Sequence, residues 1–233
     1  MTNFFSLPRE LRDQIYELCL LREEPLNPSV AFCPTWKTTT GLFRTSKAVH
    51  SESSWVFYSR NCFNLVATPA VGFAAFIGAI GRNANYIRNL RVYFPMFSCL
   101  DPGKVALEDG SSSILATIQN SCTNLSTLTT SAGSSNAMEL SLDALDHPKV
   151  AAEALKLVDT QFKAISSSPE IVVELYEDCA SDYIRRTMES HGWRISIVEN
   201  MEEEGSDGSW GGFDDYYDDY GPYHDSDDER YKD

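Results

Sequence analysis

The sequence predicts an α/β fold: two N-terminal helices, a small curved parallel sheet of strand–helix units, and a disordered acidic C-terminal tail. Three observations carry this. Apolar residues recur at helical spacing over 7–21 and 42–58. From residue 63 onward, short β-rich runs alternate with helical ones and close on a strand. Beyond residue 198 the charge turns strongly negative and apolar periodicity stops.

The elements follow in order. Residues 7–21 read LPRELRDQIYELCLL; Pro8 suits a first helical turn, and Leu11, Ile15 and Leu18 fall at i, i+4, i+7 on one face. Residues 22–40 hold Pro25, Pro28 and Pro34 and read as a loop, with room for an extended piece at Val30–Cys33. Residues 42–58 form the second helix, with Leu42, Thr45, Val49, Ser53, Val56 and Phe57 on one face, ended at Arg60–Asn61. Phe63–Ala67 is a strand. Thr68 then offers an N-cap and Pro69 the first helical position, before a face of Phe73, Phe76, Ile77 and Ile80. Ile87–Phe94 is a strand, Ser111–Cys122 a short helix and Asn124–Thr130 a strand. His147–Pro148 opens the strongest helix, whose face is Ala151, Ala154, Leu155, Val158, Phe162 and Ile165, and Pro169 stops it. Glu170–Tyr176 is a strand. Ala180, Tyr183, Ile184 and Met188 mark a helix ended by Gly192, and Trp193–Val198 closes the body as a strand. Residues 99–110 and 131–145 read as loops.

Strands separated by helices pair in parallel through right-handed crossovers. Strand starts near 63, 88, 125, 170 and 194 are spaced by 25, 37, 45 and 24 residues. The shorter spacings match irregular repeats of about 20–29 residues, so a leucine-rich-repeat-like sheet with strands in sequential order is expected. A doubly wound sheet is the alternative. The implied organisation is a helical segment over 1–62, a strand–helix domain packed on it over 63–198, and the tail over 199–233.

The 233 residues carry 34 acidic and 19 basic side chains, a formal charge of −15. Fourteen acidic and two basic residues lie in 199–233, so the tail carries −12 of it and the body is almost neutral. Such a polyanion, poor in aliphatic residues, has nothing to offset chain entropy and reads as disordered and solvated. Its aromatics (among them Trp210, Phe213 and Tyr216) leave open an interaction role. The acidic balance argues against nucleic acid and anionic membrane as partners. No apolar run approaches the roughly 20 residues of a membrane-spanning helix. The start, MTNFFSLPRE, shows no basic region followed by an apolar stretch, so an intracellular protein, cytoplasmic or nuclear, is expected. The six cysteines (Cys19, Cys33, Cys62, Cys99, Cys122, Cys179) never fall within four residues of one another, which removes CxxC redox and paired zinc motifs.

No catalytic signature appears. The chain lacks a G-x-S-x-G elbow, an H-E-x-x-H pair and a phosphate-binding G-x-x-x-x-G-K-[ST] loop. Gly78–Gly81 is a bare G-x-x-G with an apolar centre and is read as helix-end packing. His50, His147, His191 and His224 are far apart and are assigned to helix ends or surface. Neither a cofactor, a metal nor a catalytic residue is expected, and the chain is taken as non-enzymatic.

The segment Phe5–Ser6–Leu7–Pro8–Arg9–Glu10–Leu11, running on through Ile15–Tyr16, resembles the start of an F-box, a Leu-Pro-x-Glu-apolar core leading into an apolar helix. Leu42–Phe43–Arg44–Thr45–Ser46, the stretch Val56–Phe63 and Ile80–Leu90 are similar to the small F-box-like proteins abundant in filamentous fungi. The resemblance spans about residues 4–94. It implies a protein-interaction module: a substrate receptor of a cullin–RING ubiquitin ligase that meets a Skp-type adaptor protein through Leu7, Pro8, Leu11, Ile15 and Tyr16 and recruits an unknown protein substrate. The alternatives are a scaffold of unknown partner with no ligase link, and an N-terminal helix that only caps the sheet edge against Val49, Val56 and Phe57.

Overall fold

In the computed structural model, residues 4–28, 41–177 and 181–199 are described. The tail, the Val30–Cys33 piece, Cys179, Ala180 and His224 lie outside them. Met1–Asn200 belongs to one compact unit.

A 3-10 turn at Phe4–Ser6 leads into helix α1 (Arg9–Leu20). Pro8 sits at its cap position, one residue before the first turn. The second helical segment is divided: a 3-10 turn over Leu42–Arg44 precedes α2 (Lys47–Arg60). Ser46 causes the break, because its hydroxyl accepts the Val49 N–H at 3.2 Å and starts a new helix. Asn61 ends α2 and clasps the two helices. Its buried amide donates to the carbonyls of Leu20 and Phe57, and its oxygen accepts from the Arg22 N–H.

Five strands then form one parallel sheet: β1 (Cys62–Asn64), β2 (Asn89–Val92), β5 (Thr127–Thr130), β6 (Glu170–Tyr176) and β7 (Arg194–Val198), in that spatial order. The order is sequential, as expected, and never reverses, so a doubly wound sheet with a central switch point is ruled out. β1 and β2 are shorter than the runs that announced them. Helices α3 (Ala70–Ile80), α4 (Asp109–Ser121), α6 (Pro148–Lys163) and α7 (Asp182–Ser190) connect the strands. An unreversed order with right-handed crossovers places such helices on one side of the sheet. Burial agrees. Phe63, Leu90, Leu128 and Ile171 form a row across four strands and are at most 8% exposed. The opposite face carries half-buried Asn64, Asn89, Arg91, Thr127, Thr129 and Glu174, with Val172 its buried exception. Arg91 and Glu174 pair across that face.

Two expected loops are ordered elements. Residues 97–107 form an antiparallel hairpin, β3 (Phe97–Asp101) and β4 (Lys104–Leu107), turning at Pro102–Gly103 with Gly103 at φ +75°. Proline followed by a positive-φ glycine is type II turn chemistry, and that signal stood in the sequence. Residues 132–143 form helix α5 (Ala132–Asp143). Its opening run, Ser131–Ala–Gly–Ser–Ser–Asn136, has poor helix propensity. Tertiary partners override it. The Ser134 hydroxyl accepts the Phe94 N–H, Ser135 bonds Thr130, and the Asn136 oxygen faces the Tyr176 N–H.

Other helix ends differ in detail. Thr68 and Pro69 are shifted by one: Pro69 occupies the cap and α3 begins at Ala70. Pro148 is the first residue of α6, as read. Gly81 ends α3 at φ +54°, and Gly192 ends α7 at φ +89°. There the Gly192 N–H donates to Glu189 O and the Trp193 N–H to Met188 O, a Schellman motif.

Candidate protein-interaction surface

Helix α1 is apolar on two faces. At 3.6 residues per turn, Leu11, Ile15 and Leu18 fall within about 60° of arc, while Tyr16 and Leu20 lie about 140–180° from Leu11. The buried face is the second one. Tyr16 and Leu20 are fully buried in the cluster that holds Val49, Val56 and Phe57. The stripe that the sequence marks most clearly faces outward: Leu11 is 45%, Ile15 38% and Leu18 87% exposed. Phe5 is exposed as well, its ring lying under the Arg12 guanidinium.

A polar clamp decides which face goes in. Arg12 donates from Nε and Nη2 to both carboxylate oxygens of Glu52 on α2, at 2.9 and 2.7 Å. Its third nitrogen donates to the Leu7 carbonyl at 2.7 Å. The Tyr16 hydroxyl donates to Glu52 at 3.0 Å, and Arg9 reaches the same carboxylate at 3.3 Å. Such two-pronged charged contacts are the stronger hydrogen bonds. Arg12 thereby pulls its side of α1 onto α2 and turns Leu11 and Ile15 away.

The five candidate adaptor contacts are thus divided. Leu11, Ile15 and Pro8 are exposed, and Leu7 is half-buried with its carbonyl tied to Arg12. Tyr16 is spent on α2 and does not join the outward stripe. One side of the helix is packed against α2, and the other exposes the apolar stripe. The clamp was not legible in the sequence, since Arg12 and Glu52 are 40 residues apart and each reads as an ordinary surface charge.

The Arg12 hydrogen bonds, reinforced by Tyr16, hold the Glu52 carboxyl below its ordinary value of 4.5. Burial, and then the bond to Glu52, push the Tyr16 hydroxyl up to about 12. A depressed carboxyl stabilises the fold above its unfolded value and loses that contribution as pH falls through the folded one. A raised tyrosine does the reverse between about 10 and 12. The clamp should hold at neutral pH and fail first in acid. Glu52→Gln should cost about 1–3 kcal/mol at pH 7 and flatten the acid dependence of the urea midpoint. An unchanged acid slope in that variant would show that Glu52 does not carry it.

The three described histidines sit at or near the ends of helices. His50 Nδ1 is 3.1 Å from the Phe43 carbonyl, His147 caps α6 and His191 caps α7. His191 Nδ1 lies 3.5 Å from Asp159, which also accepts from the Trp193 indole. Cys19, Cys62, Cys99 and Cys122 are free. Among the described residues, no group of three or more His, Cys, Asp or Glu could hold a metal ion, and no helix is long and apolar enough to cross a membrane. No family model matches the chain, and neither a curated protein nor a solved structure matches it.

Proposed function

We propose that the chain is a non-enzymatic interaction module, an F-box-like substrate receptor whose α1 docks a Skp-type adaptor of a cullin–RING ligase. The observation that carries this is the outward apolar stripe of Leu11, Ile15 and Leu18 on a helix whose other face is already packed. A helix that only capped the sheet would have no use for a second apolar face, and exposed apolar patches mark contact sites. The resemblance to F-box starts supplies the identity of the partner. The parallel sheet, read as leucine-rich-repeat-like, would then recruit the substrate.

Arg12 favours a second reading. Many F-boxes carry leucine where this chain has Arg12 and Asp13, and Arg12 is committed to Glu52. A partner other than the adaptor would use the same stripe without the ligase link.

The test is Leu11→Asp with Ile15→Asp. Both side chains are more than a third exposed, so the pair should shift stability by less than about 1 kcal/mol. Purified Skp-type adaptor should bind the unmodified chain at micromolar concentration and lose the variant. Burying each large side chain against a partner contributes about 1.5–3 kcal/mol, so a loss of a hundredfold or more is expected. Unmodified chain that fails to bind the adaptor rejects the ligase reading. A variant that unfolds rejects the outward orientation of the stripe.

A further inference from the structure

A cavity of about 380 Å³ opens beyond the C-terminal ends of β1 and β2, between the N-terminal turns of α3 and α4. Leu65, Phe73, Val92 and Leu115 form its floor and are at most 4% exposed. Tyr93 and Met96, 46% and 57% exposed, stand at its rim. The volume lies in the range of small-molecule sites, which are mostly apolar, and the C-terminal side of parallel strands is where α/β sheets commonly bind ligands.

The wall is built rather than loose. The Met96 N–H donates to the Ser111 hydroxyl, and the Met96 carbonyl accepts from the Glu108 N–H, both at 2.9 Å, so the segment after β2 is latched to the start of α4.

The electrostatics favour neither sign of ion. Two helices begin at the cavity, and each helix N-terminus carries about half a positive charge. Glu108 and Asp109, at the cap and first position of α4, offset that field. Among the described residues that line the cavity none is Lys, Arg or His, so no side chain there pairs with an anion. A cation would face both helix ends, and the only acidic residue in the lining is the half-buried cap Glu108. An ion of either sign would give up its water for no full partner, and that desolvation opposes it. An apolar molecule gains by the same transfer. We propose that this cavity binds a small uncharged aromatic molecule, its ring on Leu65, Phe73 and Leu115, with Tyr93 and Met96 at the mouth. Rings and thioethers both pack favourably on an aromatic face or edge, which suits Phe73, Tyr93 and Met96 to such a guest. The site lies apart from the α1 stripe and does not rest on the ligase reading.

The full chain can be titrated with ethylbenzene, phenylacetate and phenethylammonium, which share one apolar body and differ in charge. Resonances of Phe73, Met96 and Leu115 report the site. Ethylbenzene should shift them saturably below about 1 mM, and each ion should bind at least about tenfold more weakly. Gly110 lines the cavity, and a Cβ added there meets nothing within 4 Å. Gly110→Phe should therefore crowd the space and weaken ethylbenzene about tenfold, with the thermal midpoint held. The proposal is overturned if ethylbenzene gives no saturable shift up to about 1 mM, or if its shifts fall outside the lining. Phenylacetate binding as tightly as ethylbenzene would show that the helix ends choose the ligand, and phenethylammonium doing so that Glu108 does; either result overturns the proposal. So does a Gly110→Phe variant that keeps its midpoint and binds ethylbenzene as before.

Discussion

Phe63→Ala should bring the protein close to the edge of stability, lowering the free energy of unfolding by about 3–5 kcal/mol against a typical total of about 5–15. Phe63 is fully buried on β1, where the N-terminal helices meet the sheet. Its ring stacks on Tyr58 at 5.6 Å, meets the edge of Phe57 at 5.7 Å and lies 6.0 Å from Phe76 of α3. The same short strand is bridged by Leu26, which donates its N–H to the Cys62 carbonyl and accepts from the Asn64 N–H. Removing the ring leaves a cavity where α2, α3 and β1 converge, and none of them can collapse into it alone. Urea unfolding should remain one transition with an unchanged slope and a lower midpoint. A transition split in two would mean that the N-terminal helices unfold as a separate unit, and a loss under about 1 kcal/mol would show that the aromatic junction does not hold them.

The opposite end of the sheet depends on Trp193 to a similar degree. The side chain is 4% exposed and packs on Phe94 at 6.0 Å and Phe162 at 5.4 Å, with the His191 ring beside it. Its indole N–H donates to Asp159 at 3.3 Å, and Asp159 also takes the Lys163 ammonium at 2.6 Å. Trp193→Ala should cost about 3–5 kcal/mol, because it opens a cavity and strips a donor from a carboxylate that is 6% exposed. Trp193→Phe separates the two contributions. It keeps most of the packing and loses the hydrogen bond, for an expected cost of about 1–2 kcal/mol. Amide exchange on β7 should accelerate in both variants. If the two cost the same, packing is not the dominant part. If the phenylalanine variant costs nothing, the bond to Asp159 contributes nothing.

Legibility followed the distance over which a residue finds its partners. The α6 face from Ala151 to Ile165 and the β6 run from Glu170 to Tyr176 read directly, because their patterns are long and their neighbours share one period. Helix α5 did not, since its serines and Asn136 are poor helix formers whose partners lie on Thr130, Phe94 and Tyr176. The hairpin β3–β4 was missed although Pro102–Gly103 signalled a turn, because its strands are short and half-buried. The cavity lined from 65–73, 92–96 and 108–115 joins residues from three separate stretches of chain, and no local pattern marks such a meeting.

By itself the sequence determined the helical period of α1, the five strands of the parallel sheet with helices α3, α4, α6 and α7 between them, and through that alternation a parallel sheet in sequential order. These depend on backbone propensity, apolar spacing and the handedness of crossovers, all of which act within a few tens of residues. The side of α1 that meets the core is different in kind. Leu11, Ile15 and Leu18 make the stronger apolar pattern, yet Tyr16 and Leu20 are the residues buried. Hydrophobic burial is non-directional, so two apolar faces of one helix compete nearly evenly. The choice fell to Glu52, forty residues away in the chain, whose carboxylate engages Arg12 and Tyr16 only when α1 lies this way round on α2.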